Sequence, residues 1–156
     1  MTTDKSGVII LVADDDPDDR LLIQEALEEA NLKNPLHFVE DGAELLDYLK
    51  RQNKYRDLAG TVFPGLILLD LNMPRKTGIE ALQEIKEEAA FRSIPVVVFS
   101  TSNAEEDILK TYSLGVNSFI SKPVNFQALL DTVETLAKYW FNIVELPPIC
   151  GGSKDG

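Results

Sequence analysis

Five short apolar runs recur along this chain, each followed by a stretch with helical spacing, and that alternation limits the fold more than any other feature. Residues 8–13 are continuously apolar and rich in β-branched side chains, which suits a strand buried on both faces. Asp16-Pro17 then reads as a helix start, with Asp16 as N-cap and Pro17 at the first helical position. Leu22, Ile23, Ala26, Leu27 and Ala30 follow at helical spacing, and residues 31–35 break the pattern. Residues 36–39 form a second strand, Asp41-Gly42 a turn, and residues 43–52 a helix with Leu45, Leu46 and Leu49 on one face. Residues 53–64 lack a clear period and read as a loop. A third strand, 66–69, ends at Asp70, and a polar loop with Pro74 and Gly78 leads to a helix over 79–90. A fourth strand, 95–99, ends at Ser100, and a helix over 103–114 follows, with Asn103 as N-cap and Gly115 as its stop. The fifth strand, 117–121, ends at Lys122-Pro123, and the last helix covers 125–141.

Strands joined by helices favour parallel pairing, right-handed crossovers and a sheet covered on both faces. For five such units the common solution is a doubly wound α/β sheet in the order 2-1-3-4-5, with ligands bound beyond the carboxyl ends of the strands. The residues expected there are Asp14, Asp15 and Asp16, then Asp70, then Ser100 and Thr101, then Lys122. Clustered carboxylates repel one another and need a cation or protons. With oxygen donors and no neighbouring Cys or His, the fitting cation is hard: Mg²⁺, or Mn²⁺ in its place. Magnesium keeps positions open for phosphate oxygens, Lys122 adds a point charge, and Ser100 adds a hydrogen bond. Asp70 beside them has the makings of a nucleophile toward phosphorus. Each residue alone has a plainer reading. Asp14 and Asp15 fit as acids at a helix start, Asp16 as a cap, and Asp18 and Asp19 as solvated first-turn acids. Asp70 alone is a turn former and Lys122 a surface lysine. Their shared position after strands is what singles them out.

The length of 156 residues suits one domain, read as residues 7–142 between a flexible N-terminus (1–6) and an irregular tail (143–156). A formal net charge of -11 opposes binding to nucleic acid or to an anionic membrane. The one cysteine, Cys150, allows no internal disulfide, which fits a reducing compartment. No signal peptide is visible, and no apolar stretch approaches the roughly 18–20 residues that span a bilayer, so a cytoplasmic protein is expected. His37, the one histidine, reads as a structural strand residue.

Together these segments resemble the receiver domains of two-component response regulators over about residues 7–140. The matching pieces are Ile10 through Pro17, then Leu68 through Pro74 with Gly78, then Val96 through Thr101, and Phe119 through Pro123. The resemblance implies a flavodoxin-like (βα)5 fold and a phosphorelay function, with Asp70 as phosphoacceptor. It implies that Asp14 and Asp15 hold Mg²⁺ with Asp70 and the backbone carbonyl of Asn72. Ser100 occupies the family's hydroxyl position, Lys122 its lysine position and Phe119 its aromatic switch position; Pro123 is expected to follow a cis peptide bond. Phosphorylation would draw Ser100 toward the phosphoryl group and turn Phe119 inward, reshaping the face made by helix four, strand five and helix five. Asn72 and Ser102 flank the approach of attacking water and are expected to set the phosphoryl lifetime.

Within the family the chain resembles small single-domain regulators paired with bacterial phytochromes, through its Asp-Asp-Asp-Pro-Asp-Asp start, its long segment before strand three, Glu105-Glu106-Asp107, and Tyr139-Trp140-Phe141 with Leu146-Pro147-Pro148. The implied partners are a sensor histidine kinase, among them a bacterial phytochrome, and a downstream protein target or phosphotransfer protein; no DNA-binding output domain is expected. The aromatic end of the last helix reads either as core packing or as a homodimer contact through Trp140, Phe141 and the tail. An aspartate-based phosphatase would use the same sheet, but it needs a second aspartate two residues after the nucleophile, where this chain has Asn72. A receiver that binds partners without phosphorylation is the remaining alternative, and every expected site residue is present.

Overall fold

The computed structural model describes residues 7–147. The N-terminal segment 1–6, Cys150 and the tail beyond Pro147 lie outside the described residues. The elements run β1 (Ile10–Ala13), α1 (Pro17–Glu29), β2 (Leu36–Val39), α2 (Gly42–Lys50), β3 (Leu66–Leu69), α3 (Gly78–Glu87), β4 (Val96–Ser100), α4 (Glu105–Leu114), β5 (Ser118–Ser121) and α5 (Phe126–Lys138). The five strands form one parallel sheet in the order β2-β1-β3-β4-β5.

Strand alternation sorts the core into two layers. Ile10, Val12, Leu66, Leu68, Val97 and Phe99 face Ile23, Ala26 and Leu27 of α1 and Leu129 and Val133 of α5. Leu11, Ala13, Ile67, Leu69, Val96 and Val98 face Leu45 and Leu49 of α2 and Ala81, Leu82 and Ile85 of α3. Because both faces are covered, β1, β3 and β4 are buried at every position, which is why they read as unbroken apolar runs.

Local signals set the helix ends. Asp16 caps α1 by accepting from the Asp18 amide, and Pro17 occupies the first turn. Asp41 caps α2 by accepting from the Glu44 amide, and Thr77 and Glu80 form a capping box on α3. Gly115 ends α4 at a φ of 102°, a conformation that favours glycine.

Several boundaries differ from expectation. The first strand starts at Ile10, two residues late, where pairing to β2 and β3 begins. Asn103 does not cap α4: the helix opens after Ala104 with no side-chain cap, and the Ser102 hydroxyl donates instead to the Asp107 carboxylate at 2.7 Å. The 53–64 segment is not wholly irregular, since Asn53–Leu58 form a short 3₁₀ helix. Arg51 holds the remainder by donating to the carbonyls of Thr61 and Val62, with its guanidinium against the Tyr48 and Phe63 rings. After Lys138 the last helix loosens into a π-helical turn, Tyr139–Ile143. Trp140 is 5% exposed and packs in the chain's own core beneath α1 and α5, with Phe141, Val144 and Leu146 against the same cluster. Of the two readings of this aromatic end, the burial of Trp140 favours core packing, while Phe141 keeps part of its surface exposed.

Candidate functional site

Sheet register assembles the site. Ala13 pairs with Leu69, so the next residues, Asp14 and Asp70, emerge side by side at the carboxyl edge. The Asp70 amide donates to the Ala13 carbonyl at 3.0 Å, fixing that adjacency. Ser100 closes β4 next to Ser121 of β5, and the Lys122 amide donates to the Ser100 carbonyl at 2.8 Å. Four strand ends thereby bring residues up to 108 positions apart into one crevice.

Asp70 lies at the centre, and it is buried. Its Oδ1 accepts from the Ser100 hydroxyl at 2.9 Å and from the Asn72 amide at 3.1 Å, and its Oδ2 accepts from Lys122 Nζ at 3.2 Å. Lys122 also donates to Asp14 Oδ2 at 2.6 Å and to Asp19 Oδ2 at 2.8 Å. Asp14 is buried, its Oδ1 accepts from the Asp16 amide, and Arg20 Nη1 donates to its backbone carbonyl at 3.0 Å. Asp15 is exposed at the rim.

The electrostatics combine burial with several acids around one base. Burial pushes the Asp14 carboxyl above the usual carboxylate range, against the opposing hydrogen bond from Lys122. Burial would lower Lys122, but its hydrogen bonds to Asp14 and Asp19 and the fields of Asp14 and Asp70 hold it above the usual lysine range. The two shifts have different causes: Lys122 is held up by its carboxylate partners, whereas Asp14 is raised by burial in spite of the lysine. Asp14, Asp15 and Asp70 each offer an oxygen within 4.8 Å of the others, a donor set that suits a hard divalent cation.

Of the sequence-predicted residues, Asp14, Asp15, Asp70, Ser100 and Lys122 converge as expected. Asn72 contributes its amide to Asp70 and leaves its side chain exposed. Phe119 stands on β5, half-buried against the α3 side of the core, and its amide donates to the Tyr112 hydroxyl of α4 at 3.1 Å. The Lys122–Pro123 peptide is trans, not cis as the resemblance implied; trans is the slightly lower-energy isomer before proline. One contributor escaped the sequence reading: Asp19, expected as a solvated acid, is a partner of Lys122. Ser102, expected beside the site, donates its amide to the Ser100 hydroxyl at 3.3 Å. Only the five-residue spacing of Asp19 from Asp14 carries a trace of the first contact.

Comparisons with known proteins agree with this geometry. The response regulator receiver domain family matches residues 10–134. Response regulator Rcp1 of Synechocystis sp. is 39% identical over 140 residues, covering 90% of this chain and 92% of Rcp1. The crystal structure of the phosphorylated cyanobacterial phytochrome response regulator RcpA superposes with a TM-score of 0.84 at 39% identity, over 90% of this chain and 99% of that one. The manganese-bound form of Rcp1 gives 0.82 at 36% identity, over 90% and 99%. With sheet order, crevice and sequence in agreement, the chain belongs to the response regulator receiver domain family.

Proposed function

We propose that this chain is a phosphorylation switch in which Asp70 accepts a phosphoryl group from the phosphohistidine of a sensor histidine kinase. The observation that carries the reading is the position of Asp70, buried between the Ser100 hydroxyl at 2.9 Å and the Lys122 ammonium at 3.2 Å, with Asp14 and Asp15 alongside. A carboxylate oxygen of Asp70 forms the new O–P bond. The P–N bond to the donor imidazole breaks, and the imidazole nitrogen keeps the electron pair and takes a proton from solvent. Asp14, Asp15, Asp70 and the Asn72 carbonyl are the residues that would hold Mg²⁺ or Mn²⁺, which when bound offsets charge on the phosphoryl oxygens. The relative Rcp1 has a manganese-bound form, which supports this assignment.

Lys122 binds a phosphoryl oxygen as a fixed positive charge, and Ser100 moves its donor from Asp70 to the same group. That movement disturbs the Ser100–Ser102–Asp107 chain of hydrogen bonds at the start of α4. Phe119 turns into the space behind Ser100, so the α4–β5–α5 face exists in two forms that partners distinguish. Substrate turnover is not part of this reading, because Asn72 cannot transfer protons as the second aspartate of a phosphatase does. The partners that fit are a sensor histidine kinase, a bacterial phytochrome among them, and a downstream protein or phosphotransfer protein. A cytoplasmic location fits these partners, and no described helix is long and apolar enough to cross a membrane. A homodimer through this end would use the exposed surface of Phe141 and Tyr139 rather than the buried Trp140.

The test is incubation with acetyl phosphate and Mg²⁺, read by intact mass. A gain of one phosphoryl group that needs the metal and is absent in Asp70→Asn is expected. An unmodified wild type, with acetyl phosphate and with a panel of kinases, would sink the proposal.

A further inference from the structure

An acid in the first turn of a helix commonly needs no explanation beyond the helix dipole. Asp19 has a second partner. Its Oδ2 lies 2.8 Å from Lys122 Nζ, and its side chain is 31% exposed, at the mouth of the crevice. An ammonium has three N–H donors, and Lys122 spends them on Asp14, Asp19 and Asp70. Two of those acceptors, Asp14 and Asp70, belong to the carboxylate cluster that suits a divalent cation; Asp19 does not. Lysine and metal therefore compete for the same two carboxylates, and Asp19 alone is outside the competition.

We infer that Asp19 is a positioning residue that acts through Lys122, keeping the ammonium in the crevice while a divalent cation claims Asp14 and Asp70. The inference rests on the phosphoacceptor reading of the crevice and deepens it. Asp19 lets the site hold two kinds of positive charge together. When the cation enters, Lys122 loosens from the cluster without leaving for solvent, and the donor freed from Asp70 is the one available to a phosphoryl oxygen. Helix α1 makes this possible: the Asp16 cap and Pro17 fix its first turn, and Asp19 in that turn reaches Lys122 at the sheet end. Arg20, the next residue, ties the same turn to the Asp14 carbonyl.

The experiment is a double-mutant cycle on Mg²⁺ affinity by titration calorimetry, with wild type, Asp19→Asn, Lys122→Met and the double variant. Asp18→Asn serves as a matched charge control. Without Asp19 the lysine has only the metal's own ligands to bind, so Asp19→Asn should raise the Mg²⁺ Kd about three- to tenfold, toward the lower end of the coupling found between contacting groups. In the Lys122→Met background the same change should stay within about twofold, as should Asp18→Asn. Equal effects of Asp19→Asn in both backgrounds would show a plain loss of negative charge and overturn the inference. A second readout uses single variants only: trace acetylation of Lys122, followed by peptide mass. With Mg²⁺ present, Lys122 should be protected in the wild type and several-fold more reactive in Asp19→Asn; equal reactivity overturns the role. A wild type that binds Mg²⁺ and takes a phosphoryl group, yet shows no such coupling, would remove only the Asp19 role. A wild type that does neither would remove the phosphoacceptor reading with it.

Discussion

His37 is the only histidine of the chain, so its ring proton resonance reports one group without assignment. It sits on β2, as expected of a structural strand residue, with Nδ1 2.7 Å from the Tyr48 hydroxyl and the two rings edge to face at 5.8 Å. Burial, and then the positive charge of Arg51, lower its pKa below the ordinary 6.5. The sign of the linked stability effect follows. Between the folded and unfolded pKa values the unfolded chain binds more protons, so the neutral-ring contribution is complete above about 6.5 and is lost as pH falls through the lower folded value. An NMR titration should give a midpoint below 6.5. The stability advantage of wild type over His37→Asn, from urea midpoints, should narrow as pH drops from 7.5 toward 5.5. A midpoint at or above 6.5 would contradict the packing described. Asp19 teaches the complementary lesson at the same scale. Its proposed role depends on where a lysine 103 residues away arrives, and beyond its spacing from Asp14 nothing local in the sequence separates it from a dipole-favoured acid.

Elements position these residues through close contacts that tolerate little change. Gly78, the first residue of α3, packs against the end of β3. A Cβ there would collide with the Asp70 carbonyl oxygen and lie 2.8 Å from the Leu71 Cα. Gly78→Ala should therefore cost about 1–3 kcal/mol in urea denaturation, and it should reduce phosphoryl acceptance by intact mass because Asp70 must shift. Full acceptance with unchanged stability would show that the loop can yield. At the other end of the chain, Trp140 fills the core beneath α1 and α5 while Tyr139 is half-exposed. Trp140→Ala should cost about 3–5 kcal/mol, the price of truncating a buried aromatic. Tyr139→Ala should cost only about 0.5–1.5 kcal/mol for the edge contact of the two rings. Urea midpoints that reverse this order would return Trp140 to the surface. Strands and helices were legible because burial on both sheet faces leaves unbroken apolar runs and burial on one helix face leaves a 3.6-residue period. Their ends were less so. The cap of the fourth helix falls one residue later than Asn103 suggests, at Ala104, and the side-chain bond at this end comes from Ser102 to Asp107, a contact no cap rule encodes.

Across the whole molecule, the sheet order turns five local signals into one site. The apolar runs and their polar ends are local facts, whereas their convergence depends on the order 2-1-3-4-5, which the parallel-crossover rule made accessible in advance. The trans Lys122–Pro123 bond was beyond any such rule, because the two isomers differ by only about 0.5–1 kcal/mol before proline. The concentration of charge has a consequence for the stability of the entire fold. The chain carries a formal net charge of -11, and three of its carboxylates gather within 4.8 Å in the folded state but not in the unfolded one. A cation that binds only the folded site stabilises by RT ln(1 + [L]/Kd), about 2.7 kcal/mol at a concentration of 100 Kd. For a chain of this size, each kcal/mol moves Tm by about 2–4 °C, so saturating Mg²⁺ should raise Tm by roughly 5–10 °C. Sodium chloride at matched ionic strength also relieves the repulsion of a strongly acidic chain, but by screening alone, and should raise Tm by a smaller amount. Asp15→Asn separates the two effects, because Asp15 is exposed at the rim and its loss should leave the core packing untouched. In that variant the magnesium increment should fall to near the sodium chloride value while the screening increment persists. Equal thermal shifts from the two salts in the wild type would mean that the acidic cluster answers only to ionic strength, and the crevice would lose its claim to a specific metal.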